Sequence, residues 1–203
     1  MGGCEGMADD YLYDVFISYN NEDPVNLWVK NQFHPLLKRW LSVNLKSKPT
    51  IFVDWEQRTG DDWRKNIPKA LQRSRCLVAV WSTLYFYDSP WCVSEWKSME
   101  AREKLGLDNR LVYPVTYFDG DKFPDDAKTK VRTNLSKWSH LVDGYYNNDE
   151  YSEFQKAMQK VAIDISEMIE GAPVWQKDFP IIKPPKLPKA TKLLMPRPRS
   201  KSR

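Results

Sequence analysis

The stretch Cys76-Leu77-Val78-Ala79-Val80-Trp81, followed after a short connection by Ser89-Pro90-Trp91-Cys92-Val93-Ser94-Glu95, decides the fold. The first six residues are wholly apolar, the pattern of a central strand in a parallel sheet covered on both faces. The second stretch opens a helix that the spacing carries from Trp91 to Leu105. The same step carries chemistry. Positions four apart share a helix face, so Trp91 and Glu95 point the same way, with Glu95 about one turn into the helix. An aromatic face beside a lone acid suits a planar cationic ring attached to a sugar. The structural alternative makes Trp91 a core residue and Glu95 a solvated first-turn acid favoured by the helix dipole.

Outward from this step, strand and helix patterns alternate. Asp14 to Tyr19 reads as a strand ended by the turn cluster Asn20 to Pro24. Val25 to Leu45 places Leu27, Trp28, Phe33, Leu36, Leu37, Trp40 and Leu41 at helical spacing, with Pro35 as an irregularity. Thr50 to Asp54 is a second strand, and Glu56 to Asp62 a polar loop. Asp61 or Asp62 can cap a helix from Trp63 to about Ser74. Arg110 to Tyr117 is a fourth strand, whose Pro114 suggests an edge or a strand end. Residues 121–150 are polar and irregular. Phe154, Met158, Val161, Ile165 and Ile169 mark a final amphipathic helix from Glu150 to Glu170, stopped by Gly171 and Pro173.

This alternation predicts a doubly wound α/β parallel sheet with helices on both faces. Such sheets bind ligands outside the carboxyl ends of their strands. The loops Ser18–Asp23, Asp54–Asp62 and Ser82–Trp91 gather there, with Glu95 beside them, which favours the functional reading of the acid.

The chain has 203 residues, 41% of them hydrophobic, with nine tryptophans. That fits one globular domain over residues 11–172, after a flexible lead-in over 1–10. Residues 173–203 hold seven prolines and nine Lys/Arg against one acid, and read as an extended, disordered basic tail in which Ile181 and Ile182 can dock on the domain. The tail carries a net charge of +8 and the rest −4, so the domain itself does not read as a specific nucleic-acid binder. Cys4, Cys76 and Cys92 lack metal spacing and suit a reducing compartment. His34 and His140 make no metal site with them. No run approaches the length of a membrane helix and no leader pattern opens the chain, so the expected location is cytoplasmic. The start loosely resembles a myristoylation signal but carries Gly6 where Ser or Thr is wanted.

The order of segments resembles the Toll/interleukin-1 receptor (TIR) domain family. Tyr13 to Tyr19 resembles the family's first box. The Asp54–Trp63 loop, then Ile67 to Leu71 and Ser74, resembles the BB loop and the helix after it. Leu77 to Thr83, followed by Tyr85, Ser89, Trp91, Cys92 and Glu95, resembles its most specific signature. Phe118-Asp119-Gly120 and Trp138-Ser139 also fall where related residues occur, so the likeness runs from about Tyr11 to Ile169. Thr59-Gly60 stands where the family often has Pro-Gly.

The resemblance implies a flavodoxin-like sheet of about five strands. It also implies one of two functions. Many bacterial, plant and axon-degeneration members cleave NAD+ with a glutamate at the place of Glu95, whereas animal receptor and adaptor members mostly act as assembly modules. The enzymatic reading makes Glu95 catalytic. Trp91 walls the nicotinamide; Phe16, Ser18 and Tyr19 line the pocket; Arg58, Thr59 and Gly60 cover the dinucleotide; Tyr85 and Ser89 belong to the signature. NAD+ is then a substrate held without a Rossmann fingerprint or phosphate loop, and no cofactor or metal is implied. Further expectations are activation by self-association, a separate sensor or effector chain, and, because the domain stands alone, bacterial antiviral defence. The rival is a non-catalytic TIR scaffold. A receiver-like reading is poor, because Asp14 and Asp54 assemble no acidic cluster.

Overall fold

Five strands among the described residues form one all-parallel sheet: β1 (Tyr13–Tyr19), β2 (Ile51–Phe52), β3 (Ser74–Trp81), β4 (Val112–Thr116) and β5 (Thr133–Asn134). The structure is a computed structural model that describes residues 10–56, 63–105, 110–140 and 149–184. The strand order is β2-β1-β3-β4-β5. This is the flavodoxin-like doubly wound order, whose switch point lies between β1 and β3. Between the strands run α1 (Val25–Trp28), α2 (His34–Asn44), α3 (Trp63–Gln72), α4 (Thr83–Tyr87), α5 (Pro90–Glu103), α6 (Asp125–Lys128) and α7 (Asp149–Glu170).

Side-chain alternation along the strands splits the interior into two cores. Val15 and Ile17 of β1 and Cys76, Val78 and Val80 of β3 face one side, under α2 and α7. Phe16 of β1 and Leu77, Ala79 and Trp81 of β3 face the other, under α3 and α5. Ser18 follows the parity of Phe16, so its hydroxyl points toward α5. Trp81 and Trp96 of α5 pack edge to face on that side, with centroids 5.3 Å apart. Truncating either ring would cost about 3–5 kcal/mol.

Several sequence expectations change in detail. The helix expected over Val25–Leu45 is α1 and α2 joined by a π-helical turn, Val29–Phe33. The wide turn lies just ahead of Pro35, which offers no N–H to the helical ladder. The connection expected as a loop from Ser82 to Trp91 contains α4, capped by the Ser82 hydroxyl accepting from Tyr85 N–H at 3.2 Å. Pro114 sits in the middle of β4 instead of at a strand end, on the stretch that β3 alone flanks. β5 pairs only with Val115 and Thr116, so no neighbour is deprived of the missing N–H.

The boundary drawn at residue 172 falls short of the packed chain. Pro173 to Pro184 lies on the fold as a strap. Tyr11 Oη donates to Pro173 O at 2.9 Å, Trp175 Nε1 to Gln72 O at 3.2 Å, and Gln72 Nε2 to Lys177 O at 2.8 Å. Phe179 is only 2% exposed and lies under the buried Arg102 guanidinium, 4.1 Å from its ring centre. Apolar side chains spaced through a proline-rich run are what hold this segment down. The tail beyond residue 184 lies outside the described residues.

Candidate active site

Glu95 lies on α5 just beyond its first turn. Ser89 starts that helix, its hydroxyl accepting from Cys92 N–H at 3.4 Å, and Pro90 takes the first helical position. This cap fixes the helix register, and with it the direction of the Glu95 side chain. Its carboxyl is buried, with 6% of the residue exposed. Ser18 Oγ at the end of β1 lies 2.6 Å from Glu95 Oε2. Tyr85 Oη lies 3.0 Å from Ser18 Oγ on the other side and donates to Cys92 O at 2.9 Å.

Burial pushes the Glu95 carboxyl up to about 8; the Ser18 hydrogen bond pulls the other way, and the nearby Asp54 carboxyl adds to the rise. Proton counting agrees. With Glu95 ionised, two hydroxyl protons serve the three contacts from Glu95 through Ser18 and Tyr85 to Cys92 O. With Glu95 protonated, each contact has a proton of its own.

A pocket of about 390 Å³ opens over Glu95 at the carboxyl ends of β1 and β2, beside the switch point. Phe16, Ser18, Tyr19, Ser89, Trp91 and Glu95 line it, so the fold brings six of the sequence-derived candidates to one wall. Trp91 is half-buried, and Phe16 stacks on Phe52 with centroids 4.9 Å apart. Tyr85 does not line the pocket; fully buried beneath it, it supports Ser18. Arg58, Thr59 and Gly60 lie outside the described residues.

Ile17, Asn21, Asp54, Ile67 and Cys92 complete the lining, although none was a sequence candidate. Asp54 is the important omission. It lies two residues past β2 and accepts a hydrogen bond from Tyr19 Oη. Burial raises its carboxyl above the usual range, against the lowering effect of that bond, and burial likewise raises the Tyr19 phenol. A carboxylate at a strand's carboxyl end, next to the switch point, is a signal the sequence did offer. The Cys92 thiol donates to Tyr19 O at 3.1 Å and is pushed well up by burial and by Glu95. It is therefore no nucleophile at neutral pH.

The lining holds two acids and, among the described residues, no cation. Trp91 presents an aromatic face beside the Glu95 carboxyl. Among the described residues no group of three or more His, Cys, Asp or Glu is placed to hold a metal ion, and no helix is long and apolar enough to cross a membrane.

Comparison with known proteins supplies a family. The family model described as "TIR domain" matches residues 15–158, more than two thirds of the chain. Disease resistance protein RPV1 of Vitis rotundifolia is 28% identical over 172 residues, covering 72% of this chain and 11% of that protein. The chain thus spans only about a tenth of that relative. Among solved structures, the TIR domain of the Toll-related receptor TRR-2 from Hydra magnipapillata is similar at a TM-score of 0.45 and 18% identity, over 72% of this chain and 98% of that one. The TIR domains of the activated Roq1 resistosome, described as directly recognizing the pathogen effector XopQ, are similar at a TM-score of 0.40 and 26% identity, over 78% and 95%.

Proposed function

The chain belongs to the TIR domain family, and from that premise we propose that it cleaves the nicotinamide–ribose bond of NAD+ in a defence-signalling role. The observation that carries the reading is the buried Glu95 carboxyl, bonded to Ser18, at the base of an acidic pocket walled by Trp91.

The reaction needs little more. The leaving group begins as a pyridinium and departs neutral, so no general acid is required. The ribose passes through an oxocarbenium-like state, as in glycoside cleavage. The ionised Glu95 stabilises that developing charge and holds the ribose hydroxyls beside the breaking bond. Trp91 presents a π face to the cationic ring. Entry of the pyridinium replaces lost hydration with an opposite charge and pulls the Glu95 proton off. Ser18 then donates to the carboxylate, the form this bond favours. Asp54 adds negative potential that draws the cation in. Capture of the oxocarbenium by water gives ADP-ribose; capture by the substrate's own adenine or a ribose hydroxyl gives a cyclic isomer.

The proposal includes self-association through TIR–TIR contacts, with activity rising on assembly. The resistance-protein name of the grape relative supports a defence setting; bacterial antiviral defence is the narrower setting of the same reading. Nicotinamide release from NAD+ across a protein dilution series tests it. Release that falls faster than the enzyme concentration supports activation by assembly, whereas a dilute monomer with full specific activity contradicts it.

A second reading, a non-catalytic scaffold, draws on one observation: the Glu95–Ser18–Tyr85–Cys92 chain satisfies itself when Glu95 is protonated. A self-satisfied buried acid can be purely structural.

A further inference from the structure

Two pockets meet at Glu95. Beside the first lies a second of about 370 Å³, which shares Ile67, Trp91 and Glu95 with it and is closed by the strap residues Ile181–Pro184. The strap wall is built, not incidental. Ser94 Oγ donates to Ile182 O, and Ile182 N–H donates to Ser98 Oγ at 2.8 Å. Both serines stand on α5, the helix that carries Glu95. Pro68 and Leu71 of α3, with Ile181 and Ile182, make most of this lining hydrocarbon.

Charge divides between the two pockets. Glu95 lines both, but the first adds Asp54 and no described cation, whereas the second adds Lys183, exposed at its edge. A dinucleotide asks for this division: a cationic ring at one end, a second planar base at the other, and a doubly negative diphosphate between. The volume sits at the small end of ligand sites and suits one base. The strap also lies beyond residue 158, where the family match ends.

We infer that the C-terminal strap builds a second nucleotide subsite, in which the apolar pocket receives the distal base of a dinucleotide and Lys183 meets its diphosphate. The inference rests on the dinucleotide reading of the first pocket and names the residues that hold the rest of the molecule.

ADP carries only the distal base, its ribose and the diphosphate, so it probes this subsite without catalysis. The full chain, Lys183→Ala and Lys177→Ala are titrated with ADP by calorimetry. Both lysines are exposed, which leaves the fold intact, and Lys177 does not line the pocket. The expected result is ADP binding to the unaltered chain and to Lys177→Ala alike, and about tenfold weaker to Lys183→Ala. Absence of ADP binding, or binding indifferent to Lys183, overturns the inference. Lys183-dependent ADP binding without NAD+ cleavage keeps the subsite and removes the catalytic proposal. NAD+ cleavage with ADP binding indifferent to Lys183 does the reverse.

Discussion

Ser18 Oγ stands 2.6 Å from Glu95 Oε2, a contact between residues 77 positions apart that joins the carboxyl end of β1 to α5. It ties the protonation of the acid to the geometry of the sheet. The sheet places the hydroxyl by side-chain parity, and the Ser89 cap places the acid.

The pH dependence of turnover follows from this pair. Only ionised Glu95 stabilises an oxocarbenium, and its carboxyl in the free protein sits at about 8. Hence kcat/KM should rise about tenfold per pH unit below that value and level off above it. Ser18→Ala removes a bond that favours the carboxylate and should move the profile to higher pH. Asp54→Asn removes a neighbouring negative charge and should move it to lower pH. A profile flat from pH 6 to pH 9 contradicts this assignment.

Stability should show the same group with the opposite benefit. Glu95 holds its proton more tightly folded, at about 8, than unfolded, where the carboxyl has its ordinary value of 4.5. Between these values the native state binds the extra proton, so this group's contribution to stability falls as pH rises through the window. Glu95→Gln abolishes the loss. Relative to the unaltered chain, the variant should gain on the order of a few kcal/mol between pH 5 and pH 9, read from urea unfolding at both. An equal difference at the two pH values would mean that Glu95 titrates normally.

Trp91 tests the stacking wall. Trp91→Ala should raise KM for NAD+ about tenfold, and Trp91→Phe should recover part of the loss, because a desolvated cation–π contact contributes roughly 1–2 kcal/mol. An unchanged KM in steady-state kinetics would assign Trp91 to packing alone.

Phe179 tests the strap. Its ring is 2% exposed and packed on Arg102, so Phe179→Ala should destabilise the fold by about 3 kcal/mol. A change within about 0.5 kcal/mol, the range of an exposed site, would mean that the strap is not part of the folded unit.

The fold was legible because its signals are local. Cys76 to Trp81 has the length and apolar run of a strand buried on both faces, and the 3.6-residue period from Phe154 to Ile169 marks α7. Glu95 and Trp91 were legible as a pair because a four-residue spacing puts them on one helix face, whereas Phe16, Ser18 and Tyr19 were named through the family resemblance. Three features were not. β5 has two residues, too few for a period. Asp54 announces itself as a strand-end carboxylate, but its contact with Tyr19 depends on β2 lying beside β1, a pairing across 36 positions that no local pattern encodes. The strap looked like a disordered tail because proline and lysine dominate its composition, yet Trp175 and Phe179 find their partners on α3 and α5 only once those helices are packed.

The most direct test of the central claim is NAD+ turnover by the unaltered chain and by Glu95→Gln, at high protein concentration with a crowding agent, with products separated by chromatography and identified by mass. Glutamine keeps the shape and most of the hydrogen bonding of Glu95 and removes only its charge. The account predicts nicotinamide release with ADP-ribose or a cyclic isomer from the unaltered chain, and at least a hundredfold less from the variant, given the typical cost of removing an electrostatic stabiliser. Equal turnover by the two proteins, or none by either under assembled conditions, would contradict it.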